Sequence, residues 1–227
     1  MKTKTKDYGY NKHSINNKKK SAMNRIIKTS LVIAASAMSL LGTAENFGIQ
    51  ASFVNSKETD DQIINGFQVG PVAESSIIKN FDFQYGAIYQ YLNYEGPGVI
   101  SGTNTYTGHF LDIPLRLKAD FPVNSEIMLF AFAGPNLSFG LAEKTVNVTT
   151  FGSSEITTSY NRYETDADDD GVYDISRFNL QMGVGGGVQY ENIQLKVGYD
   201  WGINDLNKRE DVGFNRNQLT ASVIYFF

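Results

Sequence analysis

Reading every second residue downstream of Glu45 separates two sets of side chains with little overlap. From Ile193 to Asn204 one set is Ile193, Leu195, Val197, Tyr199, Trp201 and Ile203, and the other is Gln194, Lys196, Gly198, Asp200, Gly202 and Asn204. Phe178 to Tyr190 repeats the pattern, with Phe178, Leu180, Met182, Val184, Val188 and Tyr190 opposed by Asn179, Gln181, Gly183, Gly185, Gly187 and Gln189. Successive side chains of a strand point to opposite faces, so a period of two marks strands whose faces meet different surroundings; a helical period would mix the sets. Six more segments alternate in the same way: Phe47 to Phe53, Phe67 to Glu74, Phe81 to Leu92, Leu111 to Phe121, Ile127 to Leu141 and Gln218 to Phe227. The pattern predicts eight strands.

The polar set is unlike the solvent face of a soluble sandwich. It is rich in Gly, Gln and Asn, with a few charges of both signs: Glu74, Asp82, Asp112, Arg116, Lys118, Lys196 and Asp200. Such a set suits the crowded interior of a small barrel, which side chains fill and where Gly relieves crowding. The apolar set then faces lipid, so the fold expected is all-β, an eight-stranded antiparallel transmembrane β-barrel. Aromatics agree: Phe81, Tyr190 and Phe227 fall at one end of their strands, and Tyr91, Phe139 and Trp201 toward the other, as interfacial girdles do. Connections alternate in length. Ser76 to Asn80, Pro122 to Glu126 and Glu191-Asn192 are short, whereas Asn55 to Asn65, Glu95 to Thr105, Ala142 to Ser176 and Asp205 to Asn215 are long. Short periplasmic turns and long extracellular loops are the outer-membrane pattern. Pro71, Pro114 and Pro135 fall inside strands, and each should coincide with a bulge or a local break in pairing.

Composition and charge place this barrel. The chain has 227 residues and no Cys, which excludes a disulfide framework, a thiolate metal site, a cysteine nucleophile and a lipoprotein anchor. Residues 1 to 28 carry nine Lys/Arg against one acid, Asp7, and the apolar run Leu31 to Leu41 follows, ending in the small residues Gly42-Thr43-Ala44. This is the layout of a Sec signal peptide over residues 1 to 44, with Met23 as an alternative start, and its 11-residue core is too short to span a bilayer. Residues 45 to 227 would form the barrel. They hold 11 basic and 23 acidic residues, a net of −12 against −4 for the whole chain. So acidic a body lacks the basic footprint that nucleic acid requires.

Several segments resemble the outer-membrane beta-barrel domain family common in Bacteroidetes, which includes the PorT-like proteins and is similar in plan to small OmpX- and OmpA-type barrels. They are Phe110-Leu111-Asp112-Ile113-Pro114-Leu115-Arg116-Leu117-Lys118, Ala133-Gly134-Pro135, Met182-Gly183-Val184-Gly185-Gly186-Gly187 with Val197-Gly198-Tyr199, and the closing Tyr225-Phe226-Phe227. The resemblance spans Phe47 to Phe227. It implies insertion by the barrel-assembly machinery through the C-terminal Phe, contact with outer-membrane lipid and lipopolysaccharide, and a monomer. The PorT-like members suggest a tie to type IX secretion. These motifs specify a fold more than a function, because the family is functionally mixed.

The sharpest chemical motif is Asp166-Ala167-Asp168-Asp169-Asp170-Gly171-Val172-Tyr173-Asp174. Oxygen ligands at Asp166, Asp168, Asp170 and Asp174, with Gly at the sharp turn, are what a calcium loop requires. The bidentate acid of the twelfth position is replaced by Arg177. The run therefore reads either as a weak extracellular Ca²⁺ site or as a solvated acidic loop that meets lipopolysaccharide phosphates through shared divalent cations. Thr145 to Phe151 and Ile156 to Tyr163 alternate around Gly152-Ser153-Ser154, which predicts a hairpin above the membrane. Catalysis finds little here. His109 is the single histidine after the signal segment, and neither Ser101 nor the acids are bound to it by a motif. The expectation is a non-enzymatic surface protein without a cofactor, its loops available for envelope, partner or cation contact. The alternatives are a narrow porin-like channel lined by the polar-face charges and a lipid-modifying enzyme.

Overall fold

The computed structural model describes residues 46–58, 63–98, 102–151, 154–164, 175–208 and 213–227. The predicted signal segment and the Asp166 to Asp174 run lie outside them. Ten strands and one 3₁₀ turn make up the rest: β1 (Asn46–Glu58), β2 (Ile63–Ile78), β3 (Phe81–Gly86), β4 (Ile88–Pro97), β5 (Gly102–Pro122), β6 (Ile127–Phe151), β7 (Ser154–Asn161), the turn Arg162–Glu164, β8 (Phe178–Tyr190), β9 (Ile193–Gly202) and β10 (Arg216–Phe226). All pairings are antiparallel. β10 returns to β1, and β5 pairs with β6, so the sheet closes on itself. β3 and β4 occupy one position in the ring, between β2 and β5, and β7 pairs with β6 alone. The ring is an eight-stranded barrel with a protruding hairpin.

The expected single strand from Phe81 to Leu92 is interrupted at Ala87, and the prolines explain why. Pro71 of β2 sits opposite the break: Val72 pairs with Gly86 and Val69 with Tyr89, while only Ala87 N–H reaches back, to the Pro71 carbonyl at 3.1 Å. On the other side β5 pairs with β3 up to Leu115 and with β4 from Asp112, leaving Ile113 and Pro114 at the gap. Between β5 and β6 the ladder stops at Pro114–Asn136 and resumes at Leu117–Ala133, which leaves Pro135 and Gly134 unpaired on that edge. A proline has no N–H for the ladder, and here three of them share one interruption crossing four strand positions. Gly134 makes it fit: its φ is +152°, and a Cβ there would stand 2.1 Å from the Leu115 carbonyl oxygen.

One end of the barrel carries the tight turns. Asn80 and Glu191 adopt positive φ of 66° and 47°, and the Asn124 side-chain oxygen accepts from the N–H groups of Glu126 and Ile127 at 2.9 and 2.7 Å. Phe227 N–H donates to the Phe47 carbonyl at 2.9 Å, tying the C-terminal residue to the start of β1 at this rim. The opposite end extends well past the barrel. A tilted strand crosses a bilayer in about 9–11 residues, so β5 with 21 and β6 with 25 leave much of their length outside. The sequence places loops at Asn55 to Asn65 and Glu95 to Thr105; the structure instead continues as strand through Glu58, from Ile63, through Pro97 and from Gly102.

Burial is inverted relative to a soluble domain. Gln90, Gln181 and Gln194 are at most 1% exposed, whereas Val197, Val223 and Leu129 are 55%, 49% and 48% exposed. Apolar surface left open around a closed ring has lipid as its natural solvent. Aromatic contacts mark both rims of the apolar band: Phe47–Phe227 and Tyr225–Phe227 at the tight-turn end, and Phe67–Tyr91, Phe139–Phe178 and Tyr199–Trp201 toward the other. Among the described residues no helix is long and apolar enough to cross a membrane.

Candidate functional site in the lumen and at its outer mouth

Three polar networks fill the lumen, with apolar packing beside them. Nearest the tight turns, Lys118 Nζ lies 2.9 Å from Glu74, 3.2 Å from Asp82 and 3.4 Å from Asp120. Gln84 and Gln194 donate to Glu74 Oε1 at 2.7 and 2.9 Å, and Lys196 donates to Gln84 Oε1 at 2.7 Å. In the middle, Arg116 pairs with Asp200 and donates to the Gly134 carbonyl, while Gln68 Nε2 bridges Gln90 at 2.6 Å and Asp112 at 2.7 Å. Rings cover these cations: Phe132 lies 5.7 Å from Arg116 and 5.4 Å from Lys196, and Phe130 lies 5.5 Å from Lys118.

The charges that the sequence assigns to the polar face are therefore together. Glu74, Asp112, Arg116, Lys118, Lys196 and Asp200 are buried, and Asp82 is half-buried at the rim against Lys118. A central cavity of about 30 Å³ remains, lined by Gln50, Asp112, Asn136, Arg116, Lys196 and Asp200 among others, which is room for one or two water molecules.

The third network closes the outer mouth, and the sequence reading missed it. Arg216 of β10 lies 2.9 Å from Glu58 of β1 and pairs with Glu143 of β6, which also accepts from the Tyr106 hydroxyl of β5. Arg162, on the 3₁₀ turn after β7, adds contacts of 3.4 Å to Glu58 and 3.5 Å to Glu143. Burial opposes the Arg162 charge, but the Glu143 and Glu58 carboxylates win and hold its pKa above the ordinary value. Its neighbour Tyr163 is buried too, so its phenol is pushed up, and Glu143 adds to the push. The Tyr163 hydroxyl occupies the space a Cβ would take at Gly140, and Arg177 clamps the other side, 4.5 Å over the Tyr163 ring with hydrogen bonds to the Gly140 and Leu141 carbonyls.

Glu58 and Arg216 lie in phase with Ser56 and Gln218, but Asn55, Lys57 and Asn217 on the other phase are polar too, so hydrophobic alternation gives no signal there. Glu143 is different. His109 pairs with Ala142 and Phe110 with Gly140, so Leu141 is an extra residue and inverts the phase of everything after it. His109 lies on the outward side of β5. Its Nδ1 is 2.6 Å from the Tyr89 hydroxyl, and its ring meets the Tyr91 ring edge-on at 5.3 Å. Asp166, Asp168, Asp170, Asp174 and Ser101 lie outside the described residues.

No curated protein matches the chain. Among solved structures it is similar to Neisserial surface protein A, with 18% identity and a TM-score of 0.43 over 80% of this chain and 97% of that one. It is similar also to Ail, the attachment invasion locus protein of Yersinia pestis, in complex with the heparin analogue sucrose octasulfate, with 12% identity and a TM-score of 0.40 over 82% and 100%. A third is the outer membrane enzyme PagL, with 13% identity and a TM-score of 0.42 over 76% and 97%. The model of one family, outer membrane protein beta-barrel domain, matches residues 37–208. With three quarters of its length under that match and a closed eight-stranded ring, the chain belongs to the outer membrane protein beta-barrel domain family.

Proposed function

We propose that this protein is a non-enzymatic outer-membrane barrel whose lumen is stoppered and whose work is done by what it holds outside. The observation that carries the reading is the pair of ion networks at the two ends of the lumen. Lys118 is locked among three carboxylates at one end, and Arg216 and Arg162 hold Glu58 and Glu143 at the other. Eight strands enclose an interior that side chains can fill, and among the described residues the central cavity holds one or two waters, which argues against a wide conduit. The β6–β7 hairpin, by contrast, stands beyond the apolar band, with Ser154 through Tyr160 all exposed. This hairpin and the neighbouring loops would meet envelope components, partner proteins or cations. The acidic body would reach anionic lipopolysaccharide through shared divalent cations.

His109 supports a non-catalytic reading because its ring is engaged by Tyr89 and Tyr91 in the outer aromatic girdle. Reconstitution tests the proposal. In planar bilayers the expected result is no steady conductance, and with outer-membrane lipids no turnover. Steady conductance abolished by neutralising Lys118 or Asp112 would establish a conduit instead, and lipid turnover abolished by His109→Ala would establish an enzyme.

A further inference from the structure

We infer that the centre of the lumen is a binding site for one small monovalent cation, held by Asp112, Asn136 and Gln50. Asp112, Asn136 and Gln50 all line the central cavity, and each has one oxygen acceptor without a hydrogen-bond partner: Asp112 Oδ1, Asn136 Oδ1 and Gln50 Oε1. The three residues are 1%, 2% and 4% exposed. Their other polar atoms are engaged. Asp112 Oδ2 accepts from Gln68 at 2.7 Å, Asn136 Nδ2 donates to Gln181 Oε1 at 2.8 Å, and Gln50 Nε2 donates to Ser52 at 2.9 Å. The orientation of Asn136 is fixed, because Gln181 gives its own N–H to the Arg216 carbonyl and can only accept from Asn136. Its oxygen is therefore the atom left without a partner.

Charge points the same way. Glu58, Glu74, Asp120, Glu143 and Asp200 each pair with an arginine or lysine, whereas Asp112 has no cation within ion-pairing distance among the described residues. The two cations on the cavity are engaged elsewhere, Arg116 with Asp200 and the Gly134 carbonyl, Lys196 with Gln84, both against the Phe132 ring. Ser138, opposite Asp112 in the ladder, can offer a hydroxyl but no charge. A buried carboxylate left without a counter-charge is costly, and one carboxylate with two amide oxygens is a hard, all-oxygen ligand set. A cavity of about 30 Å³ admits a bare or singly hydrated ion.

The inference rests on the stoppered lumen, but its test is separate from the conductance test. The folded barrel in zwitterionic detergent is heated, and the unfolding temperature is read from heat-modifiable migration. NaCl or KCl replaces N-methylglucamine chloride at constant ionic strength. A saturable rise with Na⁺ or K⁺ is expected, about 3–6 °C at tenfold over Kd, and it should be lost in Asp112→Asn. Equal temperatures in all three salts, or the same rise in Asp112→Asn, would overturn the site and leave Asp112 as a protonated carboxyl. Crystals grown in RbCl give a second reading that needs no variant. An anomalous peak among the three oxygens is expected, and its absence would overturn the proposal.

Discussion

Arg116 and Asp200 show how little a buried ion pair reveals about its own worth. Both are nearly sealed from solvent, and the pair crosses from β5 to β9 through the middle of the barrel. Desolvation offsets most of the attraction between such charges, yet removing one partner strands the other. Arg116→Met or Asp200→Leu alone should each cost about 3–5 kcal/mol, and the double variant should recover most of that loss. Urea unfolding of the four proteins in lipid measures the cycle, and an additive double variant would contradict a direct pair. At this scale the sequence was legible wherever environment imposed alternation. The polar phase names Asp112, Arg116, Lys118, Lys196 and Asp200 because lipid excludes them from the other face. It also hides apolar members of the lumen: Val54, Ile64, Leu92 and Phe110 form a buried cluster, and Val72, Ile88, Ile224 and Phe226 another, on positions that alternation alone would mark as polar. Glu143 was illegible for a different reason, since one extra residue at Leu141 reverses its phase without changing the composition around it.

Among the elements, the β6–β7 hairpin and the proline break differ in what holds them. β7 pairs only with β6, from Lys144–Asn161 to Phe151–Ser154, and no ring contact depends on it. Replacing residues 146–159 by an Asn-Gly turn between the paired Thr145 and Tyr160 removes only the outermost β5–β6 pairs, Gly102–Thr149 to Thr105–Val146, and should leave the heat-modifiable barrel formed while abolishing whatever surface contact the hairpin makes. Failure of the shortened chain to fold would show that the hairpin is part of the barrel's stability rather than its working part. The hairpin was visible in the sequence because Thr145 to Phe151 and Ile156 to Tyr163 flank a Gly-Ser-Ser turn, although Tyr163 leaves the strand to plug the mouth beside Gly140. The outward continuation of β1, β2, β4 and β5 was not visible, because beyond the lipid both faces meet water or the mouth network and hydrophobicity no longer alternates. The prolines were legible as breaks, but their alignment into a single interruption depends on strand register, which no one segment encodes.

For the whole molecule, closure turns local alternation into a two-solvent object: a packed polar interior, a lipid-facing apolar band and an extension into the outside medium. Its central claim is that sidedness together with the sealed lumen, and cysteine accessibility tests both most directly in a chain with no native Cys. Thr157→Cys lies on the exposed hairpin, Lys79→Cys in a tight turn at the opposite end, and Ser222→Cys in the lumen, where Ser222 is 5% exposed. With a small membrane-impermeant maleimide on intact cells, Thr157→Cys should label at once. Lys79→Cys should label only after permeabilisation, and Ser222→Cys only after denaturation. Labelling of Ser222→Cys in the folded barrel, or of Lys79→Cys on intact cells, would contradict the account.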